Sequence, residues 1–167
     1  MQSYETPILI CYDGSPAAVR AIETAAALLG PRRAVVLDVA SSMTAAESFA
    51  APYSAMAGAA VEETYAAEAA RIADEGTEIA RSSGFDAVAR RTRAVPTWEG
   101  IVEIADELDA PVIVVGSRGL RGLNEALHGS VSHQVAAHAG RPVLIVLPPG
   151  KRGADGDGDG DGDGDGR

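Results

Sequence analysis

Val112-Ile113-Val114-Val115-Gly116-Ser117-Arg118-Gly119, continued by Gly129-Ser130-Val131-Ser132, is the stretch from which this fold can be read. Four branched apolar residues between Pro111 and Gly116 suit a strand buried on both faces. Gly116 and Gly119 then offer backbone free to adopt positive φ and to admit a bulky ligand. Gly129 precedes Ser130, an N-cap residue type, and a helix is predicted from there through Val135 to Ala139. A helix start presents unpaired N–H groups and partial positive charge, which suit a phosphate. The spacing is G-x-x-G, nine residues, then G-S. It is not a Walker A loop, because no Gly-Lys-Ser/Thr follows, nor the G-x-G-x-x-G dinucleotide fingerprint. Without a ligand, the same residues would read as an ordinary glycine-rich connection between strand and helix.

Outward from this stretch, strands and helices alternate. Pro7 to Tyr12 reads as a first strand. Asp13-Gly14-Ser15-Pro16 turns it into a helix, with Ser15 as N-cap, Pro16 as first helical residue and Gly30-Pro31 as stop. Ala34 to Val39 is a second apolar strand. Residues 40–57 keep no steady period and read as a connection or a short mobile helix placed to cover a ligand. From Gly58 to Ser82, Val61, Tyr65, Ala69, Ile72, Gly76 and Ile79 keep helical steps. Ala87 to Val95 is a third strand whose Arg90, Arg91 and Arg93 suit a solvated edge. Pro96-Thr97 opens a helix with Trp98, Ile101, Val102, Ala105 and Leu108 on one face, where Trp98 is expected to pack rather than to stack on a base. Val143 to Leu147 is the fifth strand. Uniformly apolar strands alternating with helices indicate an α/β fold, a parallel sheet with helices on both faces.

The Gly116, Gly119, Gly129, Ser130 spacing, the Val131-Ser132 that follows and the later Pro142-Val143-Leu144-Ile145-Val146 resemble the ATP-binding members of the universal stress protein family. The resemblance runs over residues 5–148, nearly all the chain but its tail. It implies a Rossmann-like sheet of five parallel strands in order 3-2-1-4-5. Ligands of such sheets bind outside the carboxyl ends of the strands where the winding reverses, here between the first and fourth strands. Asp13 ends the first and Gly116 the fourth, so topology and motif point to one crevice.

The resemblance implies an ATP site built from Asp13, Gly14, Ser15, Val39, Gly116, Arg118, Gly119, Gly129, Ser130, Val131 and Ser132. Backbone N–H groups of 130–132 and the hydroxyls of Ser130 and Ser132 would hold phosphates, with Arg118 adding charge. Val39 matches the position whose backbone recognises adenine. Asp13 matches the family's acidic residue, which contacts ribose or helps hold Mg2+ or Mn2+ bridging the phosphates; its other reading is an Asx-turn within Asp-Gly-Ser-Pro. The expected role is that of a nucleotide-dependent stress sensor or regulator. Rival readings are a slow ATPase or other nucleotide-using enzyme, and a dimeric module for cyclic AMP. No Walker B strand, nucleophile elbow or placeable Ser/His/Asp set occurs, so binding is expected rather than catalysis. His128, His133 and His138 are five apart, which on a helix spreads them around the surface and argues against a shared metal.

Net charge is −10, of which the tail 151–167 carries −3 through six Asp against Lys151, Arg152 and Arg167. This disfavours nucleic acid and anionic membrane as partners. No apolar run has the length of a membrane span, and Met1-Gln2-Ser3-Tyr4-Glu5 has no signal-peptide character, so a cytoplasmic location is expected. Cys11 is the one cysteine and reads as a buried, inert thiol. Residues 1–150 are expected to form a single domain. The Asp/Gly tail 151–167 has almost no apolar side chain, so it is expected to be disordered. Its Asp155, Asp157, Asp159 and Gly160 mimic half an EF-hand loop, but Gly166 stands where the loop needs Glu. The fifth strand would be an open apolar edge without charge, so a homodimer pairing Val143 to Leu147 with its copy is expected, as the resemblance also implies.

Overall fold

The computed structural model describes residues 6–40, 58–94, 96–117 and 131–149. The expected covering connection after the second strand, the glycine-rich loop at 118–130 and the Asp/Gly tail lie outside the described residues. Nine elements alternate along the described residues: β1 (Ile8–Cys11), α1 (Pro16–Leu29), β2 (Arg33–Ala40), α2 (Gly58–Ser82), β3 (Asp86–Arg93), α3 (Thr97–Glu107), β4 (Ile113–Gly116), α4 (Val131–His138) and β5 (Val143–Val146). The strands form one parallel sheet in the order β3-β2-β1-β4-β5. This is the expected fold class and strand order.

Each apolar strand serves two cores, because successive side chains leave opposite faces. Ile8, Ile10, Ala34, Val36 and Val114 meet Ala18, Ala21, Ile22 and Ala25 of α1 and Ala80 of α2. Leu9, Val35, Leu37, Ile113 and Val115 meet Ile101, Ile104 and Ala105 of α3 and Val135 of α4. Small residues on α1 let it lie close to the sheet. Its start is held by Ser15, whose Oγ accepts from the Ala18 N–H at 3.2 Å, and Pro16 opens the first turn. α2 also lies close: a Cβ on Gly76 would stand 2.5 Å from the ring of Tyr12, so only glycine lets this helix sit there.

Element ends differ from the expected ones by a residue or two. β1 excludes Pro7, which has no N–H for a ladder, and Tyr12. β4 runs from Ile113 to Gly116 rather than from Val112 to Val115. β3 starts at Asp86 and stops at Arg93. β5 stops at Val146, because Pro148 and Pro149 follow at once and cannot donate to a strand; Leu147 is left outside it, 55% exposed. β3 is an edge, as its arginines suggest, and Arg90 reaches Glu107 on α3. No helix among the described residues is long and apolar enough to cross a membrane.

Candidate functional site

β1 is hydrogen-bonded to β2 on one side and to β4 on the other. The winding therefore reverses between β1 and β4, and in sheets of this kind ligands bind outside the carboxyl ends of the strands at that point. Three chain segments leave the sheet along this rim: Tyr12-Asp13-Gly14-Ser15 after β1, Asp38-Val39-Ala40 closing β2, and Gly116-Ser117 closing β4. α4 begins at Val131, the next described residue after Ser117 at the end of β4.

After β1 the chain makes the Asx-turn that Asp-Gly-Ser-Pro suggests. Asp13 Oδ1 accepts from the Ser15 N–H at 3.0 Å, Gly14 takes φ 75°, and the Asp13 carboxylate stays exposed. The turn does not exclude the binding role, since an exposed carboxylate has further lone pairs to offer. Ser15 caps α1 beside it. Val39 is paired in register with Thr92 of β3, one residue before β2 ends.

Gly116 departs from expectation in its backbone. It has no positive φ. A Cβ there would stand 2.6 Å from the carbonyl carbon and oxygen of Ala17 and 2.9 Å from the Ala18 nitrogen. Its missing side chain makes room for the first turn of α1 against the end of β4. Ser117 is buried, and its N–H donates to the Val146 carbonyl at 2.9 Å, tying the rim to β5. Val131 is exposed and Ser132 half-buried in the first turn of α4. Arg118, Gly119, Gly129 and Ser130, with His128, lie outside the described residues.

One rim residue was not singled out from sequence: Asp38. It is only 6% exposed, and its carboxylate takes part in no hydrogen bond among the described residues. Burial pushes its carboxyl above the ordinary 3.8; the Asp13 charge pushes it further, and Arg91, in register on β3, pulls it back. A signal was present, since Asp38 is the sole charge within the apolar run from Ala34 to Ala40. Asp13 also acts on β1. Cys11 is half-buried, and its thiol is pushed up to about 12, by burial first and then by Asp13, which disfavours the reactive thiolate. The Tyr12 phenol rises to about 12 through burial and through its hydrogen bond to Glu75 Oε1 at 3.0 Å.

On the opposite face, Trp98 stacks on His138 with ring centroids 4.5 Å apart and an interplanar angle of 28°, the packing role expected for it. Trp98 also lines a shallow groove along α3 with Glu99, Val102, Glu103, Asp106 and Glu107. Asp106 and Glu107 are engaged there by Arg141 and Arg90. Among the described residues no three His, Cys, Asp or Glu side chains converge as a metal site.

Residues 6–146 match the model of the Universal stress protein family. A universal stress protein of Bacillus subtilis is 40% identical over 79 residues, 47% of this chain and 53% of that one, so this match spans about half the relative's length. A universal stress protein of Mycobacterium tuberculosis is 29% identical over 146 residues, 87% of this chain and 98% of the relative. Among solved structures, a universal stress protein in complex with cAMP is 27% identical with a TM-score of 0.59, over 87% of this chain and 98% of that one.

Proposed function

Because the chain belongs to the universal stress protein family, we propose that it is an ATP-binding regulator that works by holding nucleotide rather than by turning it over. One observation carries this reading: the uninterrupted Gly116, Gly119, Gly129, Ser130 spacing begins in sequence at the end of β4, beside the reversal of the winding, and ends in sequence just before Val131, where α4 begins. Adenine would lie against the backbone of Val39, and phosphates against the N–H groups that open α4, with Ser130, Ser132 and Arg118 adding hydrogen bonds. The short loop glycines admit the ligand. The solved relative in complex with cAMP supports an adenine nucleotide as the ligand class.

The donors present fit a divalent cation only in part. Mg2+ is commonly held by one or two carboxylates together with substrate phosphates. Asp13 is exposed at the rim and can supply such a ligand, so Mg2+ or Mn2+ would arrive with the nucleotide and neutralise its phosphates. The chain's own contribution is to orient the ligand and to shield the sugar from water. This reading puts the protein in the cytoplasm, where ATP is abundant.

Titration calorimetry with ATP on the wild type and on Gly129→Asp tests the reading. The substitution sets bulk and negative charge where phosphate must approach. Contacts to charged groups are worth about 1.5–3 kcal/mol each, so affinity should fall about tenfold or more. Equal affinities in two folded proteins would move the nucleotide elsewhere. A second reading, a cyclic AMP module, is favoured by the same solved relative. Displacement of bound ATP by cyclic AMP at lower concentration than by ATP itself would select it.

A further inference from the structure

We propose that Asp38 is the sugar-recognising residue of this crevice, accepting a ribose hydroxyl and making the site selective for ribonucleotides. The proposal rests on the adenine-nucleotide reading and deepens it.

A carboxylate 6% exposed with no hydrogen bond among the described residues is costly to the fold. A donor that enters the rim, such as a ligand hydroxyl, would satisfy it. Asp38 sits in the third-last position of β2, next to Val39, and Asp13 stands at the end of the neighbouring strand, close enough for its charge to act on Asp38. Both groups are acceptors when ionised. A phosphate brought there would face two carboxylates, whereas a hydroxyl would satisfy one without adding charge. The ligand's polarity across the crevice follows. Base and sugar lie over the ends of β1 and β2, and the phosphates lie on the far side, over β4 and α4. Asp13, the exposed carboxylate, is left to the cation. The same physical device, an acidic side chain at the end of a second strand taking a ribose hydroxyl, operates in dinucleotide-binding sheets.

A site built to bond a hydroxyl rejects the analogue that lacks it, because its own polar group is then left unpaired. The experiment is calorimetric titration of the full chain with ATP, 2′-deoxy-ATP, 3′-deoxy-ATP and adenosine, each with and without Mg2+. Wild type should bind ATP about tenfold or more tightly than at least one deoxy analogue. Asp38→Ala should lose affinity for ATP and adenosine alike, and should no longer distinguish ATP from that analogue. Asp38→Asn, which keeps an acceptor of the same shape, should retain part of the preference. The comparison of analogues on wild type needs no variant, so a folding defect cannot obscure it. Equal wild-type affinity for ATP and both deoxy analogues overturns this inference while leaving the nucleotide site intact. An effect of Asp38→Ala confined to ATP with Mg2+ also overturns it, by making Asp38 a cation ligand. Failure of wild type to bind any adenine nucleotide overturns the proposed function and this inference with it.

Discussion

At the scale of single residues, Gly116 and Asp38 carry the strongest constraints. Gly116 stands against main chain, since the atoms a Cβ would meet at 2.6 Å are the carbonyl group of Ala17. Backbone cannot rotate aside as a flexible side chain can, so Gly116→Ala must push α1 away from β4. The expected cost is about 1–3 kcal/mol, read as a lower urea midpoint. A midpoint equal to wild type would mean that α1 shifts freely. Asp38 predicts a pH effect whose sign follows from its raised carboxyl. The folded chain binds the Asp38 proton more tightly than the unfolded chain does, whose carboxyl titrates near 3.8. The associated stability is present below that value and is lost as pH rises through the higher folded value. Near neutral pH the full penalty of a buried charge remains. Asp38→Asn should therefore melt higher than wild type near pH 7, with the gain vanishing near pH 3. Equal gains at both pH values would show that packing, and not charge, sets the difference. A residue that costs stability where the protein works is the kind expected at a binding site.

At the scale of elements, α1 shows how a helix start is fixed and then used. Asp13 bonds the Ser15 N–H, Ser15 bonds the Ala18 N–H, and Pro16 occupies a position whose N–H would have no partner. The turn that holds Asp13 at the carboxyl end of β1 is thus the turn that leads into the capped helix. Ser15→Ala should lower stability by about 0.5–2 kcal/mol with an unchanged denaturant slope. If it also weakens ATP binding, the cap orients Asp13; if stability stays the same, the cap contributes nothing measurable. α2 has a comparable fixed point in Gly76, where the Tyr12 ring occupies the space of a side chain, and the Tyr12 hydroxyl reaches on to Glu75. The two helices on this face are thereby keyed to the end of β1, the strand from which the site begins.

At the scale of the molecule, the sheet has two edges of different character. β3 carries Arg90, Arg91 and Arg93, which discourage pairing with another sheet. β5 is Val-Leu-Ile-Val without a charge, and Leu147 beyond it is 55% exposed. We expect a second copy to cover this edge about a two-fold axis. Light scattering at micromolar concentration should then give twice the 17.1 kDa chain mass. A single-chain mass would leave the edge open and refute the pairing. Local chemistry settled much of this protein in advance. Runs of branched residues specify strands, steps of three and four specify helices, and Ser15-Pro16 and Ser83-Gly84 mark helix ends, because each depends on neighbours close in sequence. The strand order came from a resemblance, and the site's rim from that order together with the Gly116 to Ser130 spacing. Tertiary structure alone decided why Gly116 and Gly76 must be glycine, that Trp98 meets His138, and that Asp38 is buried beside Asp13. Those facts depend on which strands the crossovers make adjacent and how closely the helices approach them, and such long-range packing leaves only a lone charge or a lone glycine as its trace in the sequence.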